Sequence, residues 1–461
     1  MAACLCYQTR HSIIPIVAKP LSLSFVFLCL CGKYFLVPAR PPYPARQEGG
    51  FVQVRKIILN EFETGYVGRG NNIGSETFRT QLSPLLLIAS IFLLNFTARI
   101  IAAPLLPTIE RDLGFSHGDA GSLFLFLSIG YFISLLGSGH ISSRITHRKT
   151  IAVSAIAVGI ALSLISFSKC LFAMRFCVFL LGIAAGTYLP SGITTVTSLV
   201  NPKNWGKAVA IHELAPNLSF ILTPLLAETL LHWFIWRNIL CFIGMVSIIM
   251  GIVFFQFGKG GNFLGEAPNF SFIKKILKIP VFWILIVLFS LAITSTLGIY
   301  NMLPLYLVTE HGVSQDWANN LVGTSRISTL GMAFLAGWAT DRFGPKTIMV
   351  SVFFITGILT LLIGMVSTRW IAAVVFLQPV LAVCFFPAGF AALSTISTPE
   401  NRNMAISLTI PIAFVLGGGV VPALIGIMAD NGYFSWGISL AGVLIMAGFF
   451  LSFFLKLSDS R

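Results

Sequence analysis

Gly337-Trp338-Ala339-Thr340-Asp341-Arg342-Phe343-Gly344-Pro345-Lys346 separates two long apolar runs. Charges, glycines and a proline cannot lie in hydrocarbon, so this stretch is a short turn at a membrane surface joining two spanning helices. An echo of it lies upstream, at Gly139-His140-Ile141-Ser142-Ser143-Arg144-Ile145-Thr146-His147-Arg148-Lys149. Gly139 and Arg144 hold the places of Gly337 and Arg342, while Ser143 stands where Asp341 does and Thr146 where Gly344 does.

The spacing between the two turns recurs elsewhere. Pro107 and Pro304, and Pro202 and Pro399, are 197 residues apart; Gly139 and Gly337, and Pro224 and Pro422, are 198 apart. Landmarks repeating at one offset over hundreds of residues mark two tandem copies of one unit. Tandem halves with a site at their interface are the architecture of many secondary transporters.

Composition agrees. Of 461 residues, 56% are hydrophobic and 10% charged, and the mean hydropathy is +0.88. A water-soluble domain carries about a quarter charged residues, so this is an integral membrane protein. The net charge of +14 is spread through loops rather than gathered on one face, which excludes a nucleic-acid surface and fits basic loops retained on the cytoplasmic side. The eight Cys are scattered, and neither a metal-ligand pattern nor a phosphate-cradling Gly-rich loop with Lys is present. No cofactor is expected, and paired catalytic His and acids are lacking, so the chain reads as a non-enzyme.

Apolar runs of about 20 residues, the length that spans a bilayer, are expected near 84–106, 118–139, 149–168, 171–195, 207–230 and 237–256. In the second half they fall near 280–307, 317–339, 346–367, 370–394, 402–428 and 433–456. The fold class is an all-α membrane protein, twelve helices in two six-helix pseudo-repeats around a central cavity. The halves are 82–256 and 280–456, with a linker at 257–279 and a tail at 457–461. Basic residues such as Arg148, Lys149, Lys203, Lys274, Lys275 and Lys346 gather on one set of loops, placing both termini and the linker in the cytoplasm of a cell inner or plasma membrane. Residues 1–81 do not fit the pattern. They read as an over-extended gene start with a disordered stretch, or as a targeting segment; Leu21–Val37 would add a thirteenth span but is interrupted by Lys33.

The order Gly337, Asp341, Arg342, Gly344, Lys346, with its partial echo at Gly139, Arg144 and Arg148, resembles the loop signature of the major facilitator superfamily, between the second and third helices of each half. The resemblance covers about residues 82–456. It implies alternating access, a central cavity lined by the first helix and bordered by the eighth, a contact of the fifth and eighth helices across the two halves, and an inward gate in which Asp341 and Arg342 meet helix ends of the opposite half.

Ionisable residues within spans are expensive, roughly 2.5–3.5 kcal/mol each at the helix centre, and must face protein or water. Arg99 lies inside the first span, with Asn95 on the same face, and Arg326 lies in the eighth. A guanidinium presents a planar fork of donors that matches a carboxylate or phosphate. An Arg in the first helix is similar to the arrangement in organic-anion porters of the family. Either these residues clamp an anionic substrate, or each is neutralised by a fixed partner and locks helices together. Glu213 is the acid placed well inside a span, with Asn217 one turn later and His212 beside it. Glu213 either carries a proton or forms a gate pair with Arg326, while His212 reads as packing. Tyr300, Asn301 and Gln378 are polar enough to line the cavity or to serve packing. Arg175 reads as an interfacial anchor, and Gly182, Gly186 and Gly417-Gly418-Gly419 as close-approach surfaces.

The expected function is secondary active transport, as proton symport of a small organic anion such as a carboxylate, by a protein working as a monomer. An efflux antiporter of amphipathic compounds is the alternative. A non-transporting membrane sensor is a further one.

Overall fold

The structure, a computed structural model, describes residues 78–265, 277–395 and 399–455, with the side chains of 399–404 set aside. Most of the N-terminal extension, the possible span at 21–37, Lys274, Lys275 and the tail lie outside the described residues.

Among the described residues, twelve helical spans follow in order. The first half comprises α1 (Phe78–Leu113), α2 (His117–Arg144), α3 (His147–Ser166), α4 (Leu171–Ser198), α5 (Pro202–Leu231) and α6 (Trp236–Phe257). The second comprises α7 (Pro280–His311), α8 (315–343), α9 (Pro345–Ile363), α10 (Thr368–Thr395), α11 (Ala405–Asp430) and α12 (Phe434–Phe453). Eleven of these are long and apolar enough to cross a membrane by composition alone. The exception is α8, made of Gln315–Ser325 and Ile327–Phe343 with Arg326 at the break; Asn319, Asn320 and Arg326 dilute its hydropathy.

The tandem register is visible in the helix ends. Gly114 and Gly312, 198 apart, end α1 and α7 with φ +67° and +63°, the left-handed cap that glycine adopts without a Cβ penalty. At the signature turn Gly344 (φ +83°) ends α8 and Pro345 starts α9. The upstream echo has no glycine there because Thr146 caps α3 with its side chain, accepting from the Lys149 N–H. Arg148 and Lys346, also 198 apart, do the same job in each half. Arg148 Nη2 donates to the Phe255 and Gln256 carbonyls at the end of α6 (2.8 and 3.1 Å). Lys346 Nζ donates to Phe453 and Leu455 at the end of α12 (2.8 and 3.1 Å). A cation at a helix C-terminus satisfies its orphan carbonyls and its dipole. The start of the linker docks on the echo turn, where the Phe263 and Gly261 carbonyls accept from the His147 and Arg148 N–H groups.

Several spans are broken. α4 is interrupted at Thr187 and α10 at 383–384, the same place in the two repeats. α7 carries a π-helical segment, Thr294–Gly298, and α11 another, Phe414–Val420. The Gly298 backbone abuts the Gly417 carbonyl, so the two irregular segments lie against each other. π-segments within helices free backbone groups and are frequent at functional sites. The break at Arg326 has no counterpart, because the matching stretch of α2 is continuous.

The halves meet mainly at one end. The Ala102–Leu113 part of α1 packs on the Ile299–His311 part of α7, and α5 packs on Gln315–Ser325 of α8. α2 runs against α11, where a Cβ on Gly121 would collide with the Pro422 carbonyl backbone and one on Gly426 with that of His117. These glycines let two backbones touch across the molecule. Asp430 of α11 accepts from Ser116 Oγ (2.9 Å) and the Gly118 N–H (3.0 Å), capping the N-terminus of α2 from the opposite half. We refer to this as the closed end. At the other end, the half-helices Tyr188–Ser198 and Phe385–Thr395 pack chiefly within their own halves. There the aromatic partners of Arg342 are Trp338 and Phe343 of its own helix, and its side chain is exposed.

Candidate functional site

Arg99 is 5% exposed and sits in a cage of rings. Its Cζ lies 4.8 Å from the Phe96 centroid, 4.0 Å from Tyr131 of α2 and 4.8 Å from Phe414 in the π-segment of α11. Its Nε is buried with no hydrogen-bond partner. Arg326 is 6% exposed and lies over Phe220 of α5 (4.8 Å) and Tyr300 of α7 (5.2 Å). Its Nη2 donates to the Thr296 carbonyl (2.8 Å), within the π-segment of α7. The Tyr300 hydroxyl is buried without a partner.

The two guanidinium groups belong to one arrangement. Phe96, under Arg99, packs edge-on against Phe220 (5.1 Å), and Phe220 packs edge-on against Tyr300 (4.9 Å), under Arg326. The arrangement is swapped between repeats. In the first half α1 carries the arginine and α2 its tyrosine; in the second, α8 carries the arginine and α7 the tyrosine. Among the described residues neither arginine forms an ion pair with a carboxylate. Ring faces stabilise each cation by about 0.5–2 kcal/mol per contact. A carboxylate at ion-pair distance would contribute more but would occupy the donors.

The remaining sequence-predicted residues divide. Tyr300 joins the site directly. Asn301 donates from Nδ2 to the Gly418 carbonyl (3.2 Å), tying α7 to α11, while its Oδ1 is buried and unpartnered. Asn95 donates to the Ala185 carbonyl (3.3 Å), tying α1 to α4. Gln378 donates to the Ser295 carbonyl (2.8 Å) and to Thr360 Oγ1 (3.2 Å). Asn95 and Gln378 thus fasten helices together.

Glu213 meets His212 Nδ1 (3.0 Å) rather than Arg326, and its side chain is 47% exposed. Asn217 donates to the Glu213 carbonyl of its own helix (3.1 Å). His212 is buried, stacked on Phe92 (4.3 Å) and bonded through Nε2 to the Tyr188 hydroxyl (3.0 Å). Arg175 pairs with Asp119 Oδ1 (3.0 Å) and donates to Ser122 (2.9 Å), holding α4 to α2. Gly182 and Gly186 let α4 approach the α2 backbone at Leu127 and Tyr131, which seats Tyr131 under Arg99.

Four features escaped the sequence reading: the ring contacts of Phe96, Tyr131, Phe220 and Phe414, the Thr296 carbonyl, the orphaned Tyr300 hydroxyl, and the burial of Glu228. Only the last left a signal, an acid in an apolar run of α5.

Two six-helix repeats with broken helices, a shared polar centre and one closed end define the architecture of a secondary transporter. The chain belongs to the Major Facilitator Superfamily, whose family model matches residues 88–333 and 318–461. It is 25% identical over 310 residues to the membrane sensor protein UhpC of Escherichia coli, covering 62% of this chain and 69% of that one. It is 23% identical over 288 residues to the probable nitrate/nitrite transporter NarK2 of Mycobacterium tuberculosis, covering 59% and 70%. A 147-residue stretch is 24% identical to the human voltage-gated purine nucleotide uniporter SLC17A9, covering 31% and 34%. The fold is similar to that of a bacterial homologue of the human lysosomal transporter Spinster in an inward-facing, unoccupied conformation. For that structure the TM-score is 0.72 at 14% identity, over 82% of this chain and 97% of that one. A D-xylose–proton symporter gives a TM-score of 0.67 at 15% identity, over 84% and 100%.

Proposed function

We propose that this secondary transporter carries a small organic anion such as a carboxylate, by proton symport, with Arg99 and Arg326 as the clamp. The observation that carries this reading is a pair of buried guanidinium groups, joined through Phe220, with no carboxylate on either among the described residues. Buried charge costs several kcal/mol per ion unless it is paired. A centre holding two such charges is completed by an anion that arrives from outside. The orphaned Arg99 Nε and Tyr300 hydroxyl are donors such a ligand would satisfy. Two of the relatives are described by inorganic or organic anions, nitrate/nitrite and purine nucleotide, which supports the charge sign.

Glu213, half-exposed and paired with His212 Nδ1 (3.0 Å), is the group proposed to carry the coupled proton. The basic loops lie at the end away from Asp430, so the positive-inside rule puts that end, and both termini, in the cytoplasm of a plasma or inner membrane. The conformation is then open inward, and the protein works as a monomer.

Thermal unfolding of purified protein against a panel of mono- and dicarboxylates, phosphate esters, nitrate and neutral sugars tests the clamp. Anions are expected to raise the unfolding temperature and neutral sugars to leave it unchanged; stabilisation by neutral compounds alone would reject it. The similarity to a membrane sensor favours a second reading, in which the same site binds the anion without moving it. Binding without uptake in proteoliposomes would select that reading.

A further inference from the structure

We propose that residues 258–265, at the start of the linker, form a strap that makes the first half one rigid body at the end opposite the closed one, leaving the matching end of the second half to hinge. The strap runs between the α2–α3 turn and Tyr188–Ser198, the part of α4 beyond its break. Three backbone bonds hold it. The Gly265 N–H donates to the Ser142 carbonyl (2.8 Å), while the Phe263 and Gly261 carbonyls accept from the His147 (3.2 Å) and Arg148 (2.8 Å) N–H groups. Those two N–H groups open α3 and have no partner within it, so the strap supplies what the helix start lacks. Gly260 and Gly261, at φ +82° and +70°, turn the chain where a Cβ would strike Leu199 or Thr195.

Side chains carry the tie into the bundle. The His147 ring is edge-on to Phe263 (5.0 Å) and, through Nδ1, lies 3.1 Å from Ser191 Oγ of the same part of α4. One turn earlier, the Tyr188 hydroxyl donates to the Ile88 carbonyl of α1 (2.9 Å) and lies 3.0 Å from His212 Nε2 of α5. Strap, turn, α4, α1 and α5 are thereby joined in one run of hydrogen bonds.

The repeat places different residues at these positions in the second half. A Cβ on Gly192 would meet the Tyr188 ring, as one on Gly389 would meet the Phe385 ring, so the offset here is 197. Tyr188 then corresponds to Phe385 and Ser191 to Ala388; at the turn, where Arg148 matches Lys346, His147 corresponds to Pro345. None of the three replacements has a hydrogen-bonding side chain, and Pro345 has no N–H to receive a strap. Phe385 instead packs on the rings of Phe289 (5.0 Å) and Phe353 (5.1 Å). Apolar packing permits small sliding between helices, which a run of directional bonds resists. Both α4 and α10 are broken at the same place, but only the first-half segment is tied down at these positions. Phe385–Thr395 is therefore the segment that hinges at its break.

This inference stands apart from the anion clamp, and its test needs no substrate. Hydrogen exchange of the full chain in nanodiscs, resolved to the two half-helices, reads it directly. In the parent protein, amides 189–198 should exchange about tenfold more slowly than 386–395, the difference that one or two hydrogen bonds make. Gly261→Val strains the positive φ and drives a side chain into Thr195. It should speed exchange at 189–198 by about tenfold and leave 386–395 unchanged. Phe263→Ala removes the ring on His147 and should have the same effect at about threefold; it carries the test alone if Gly261→Val fails to fold. Equal exchange of the two half-helices in the parent, variants that leave 189–198 protected, or a rise at both half-helices would each overturn the strap.

Discussion

Replacing Arg326 by methionine separates a charge that serves a ligand from one that serves the fold. The side chain keeps its length and apolar stem but loses the guanidinium. In this structure the charge is held by one bond to the Thr296 carbonyl and two ring contacts. A hydrogen bond from a charged donor contributes about 1.5–3 kcal/mol, and each ring about 0.5–2 kcal/mol. Against them stands a desolvation cost of several kcal/mol. The two sides nearly cancel, so Arg326→Met should shift stability by no more than about 2 kcal/mol, in either direction. Ligand binding should respond very differently. Losing a buried charged partner of an anion costs about 2–5 kcal/mol, so anion affinity should fall at least about 30-fold. Unfolding followed with and without anion measures both quantities in one experiment. Were Arg326 a helix lock, the variant would lose about 3–5 kcal/mol of stability and keep its anion shift. That pattern would refute the reasoning.

Arg99→Lys keeps the charge but discards the fork and the flat face that Tyr131 covers at 4.0 Å; anion affinity should drop about tenfold with folding intact, as read by the same thermal shift. Gly426→Ala places a methyl against the His117 backbone and should push the population away from the closed form, raising hydrogen exchange at 117–123 and 421–430; unchanged exchange would argue that the seam never parts. Lys346→Met and Arg148→Met each remove a helix C-cap, costing about 0.3–1 kcal/mol, and by the repeat the two losses should be alike in denaturant unfolding. Asn95→Leu, which breaks only the bond to the Ala185 carbonyl, should lower stability by about 1–3 kcal/mol while leaving the anion shift in place.

The helices were legible because a 20-residue apolar run has one physical meaning in a bilayer, and the repeat because Pro, Gly and basic caps recur where backbone geometry demands them. Arg148 and Lys346 show why the spacing persisted: each satisfies the end of the sixth helix of its half. The two arginines were legible because charge in hydrocarbon needs a reason. Their surroundings were not. Phe414 lies over Arg99 across 315 positions of sequence, and a phenylalanine among 41 carries no mark of the contact. The part played by polar residues such as Asn95 and Gln378 was not legible either, since an amide that fastens helices looks in sequence like one that lines a cavity. Glu228 was overlooked because its partner, Asn319, lies in the other half, where the repeat offset gives no register.

The central claim is that two buried positive charges await a negatively charged passenger, and uptake of radiolabelled carboxylates into proteoliposomes under an imposed pH gradient tests it most directly. The account predicts accumulation by the parent protein and its loss in both Arg99→Ala and Arg326→Ala. Uptake undiminished in those two variants would contradict it.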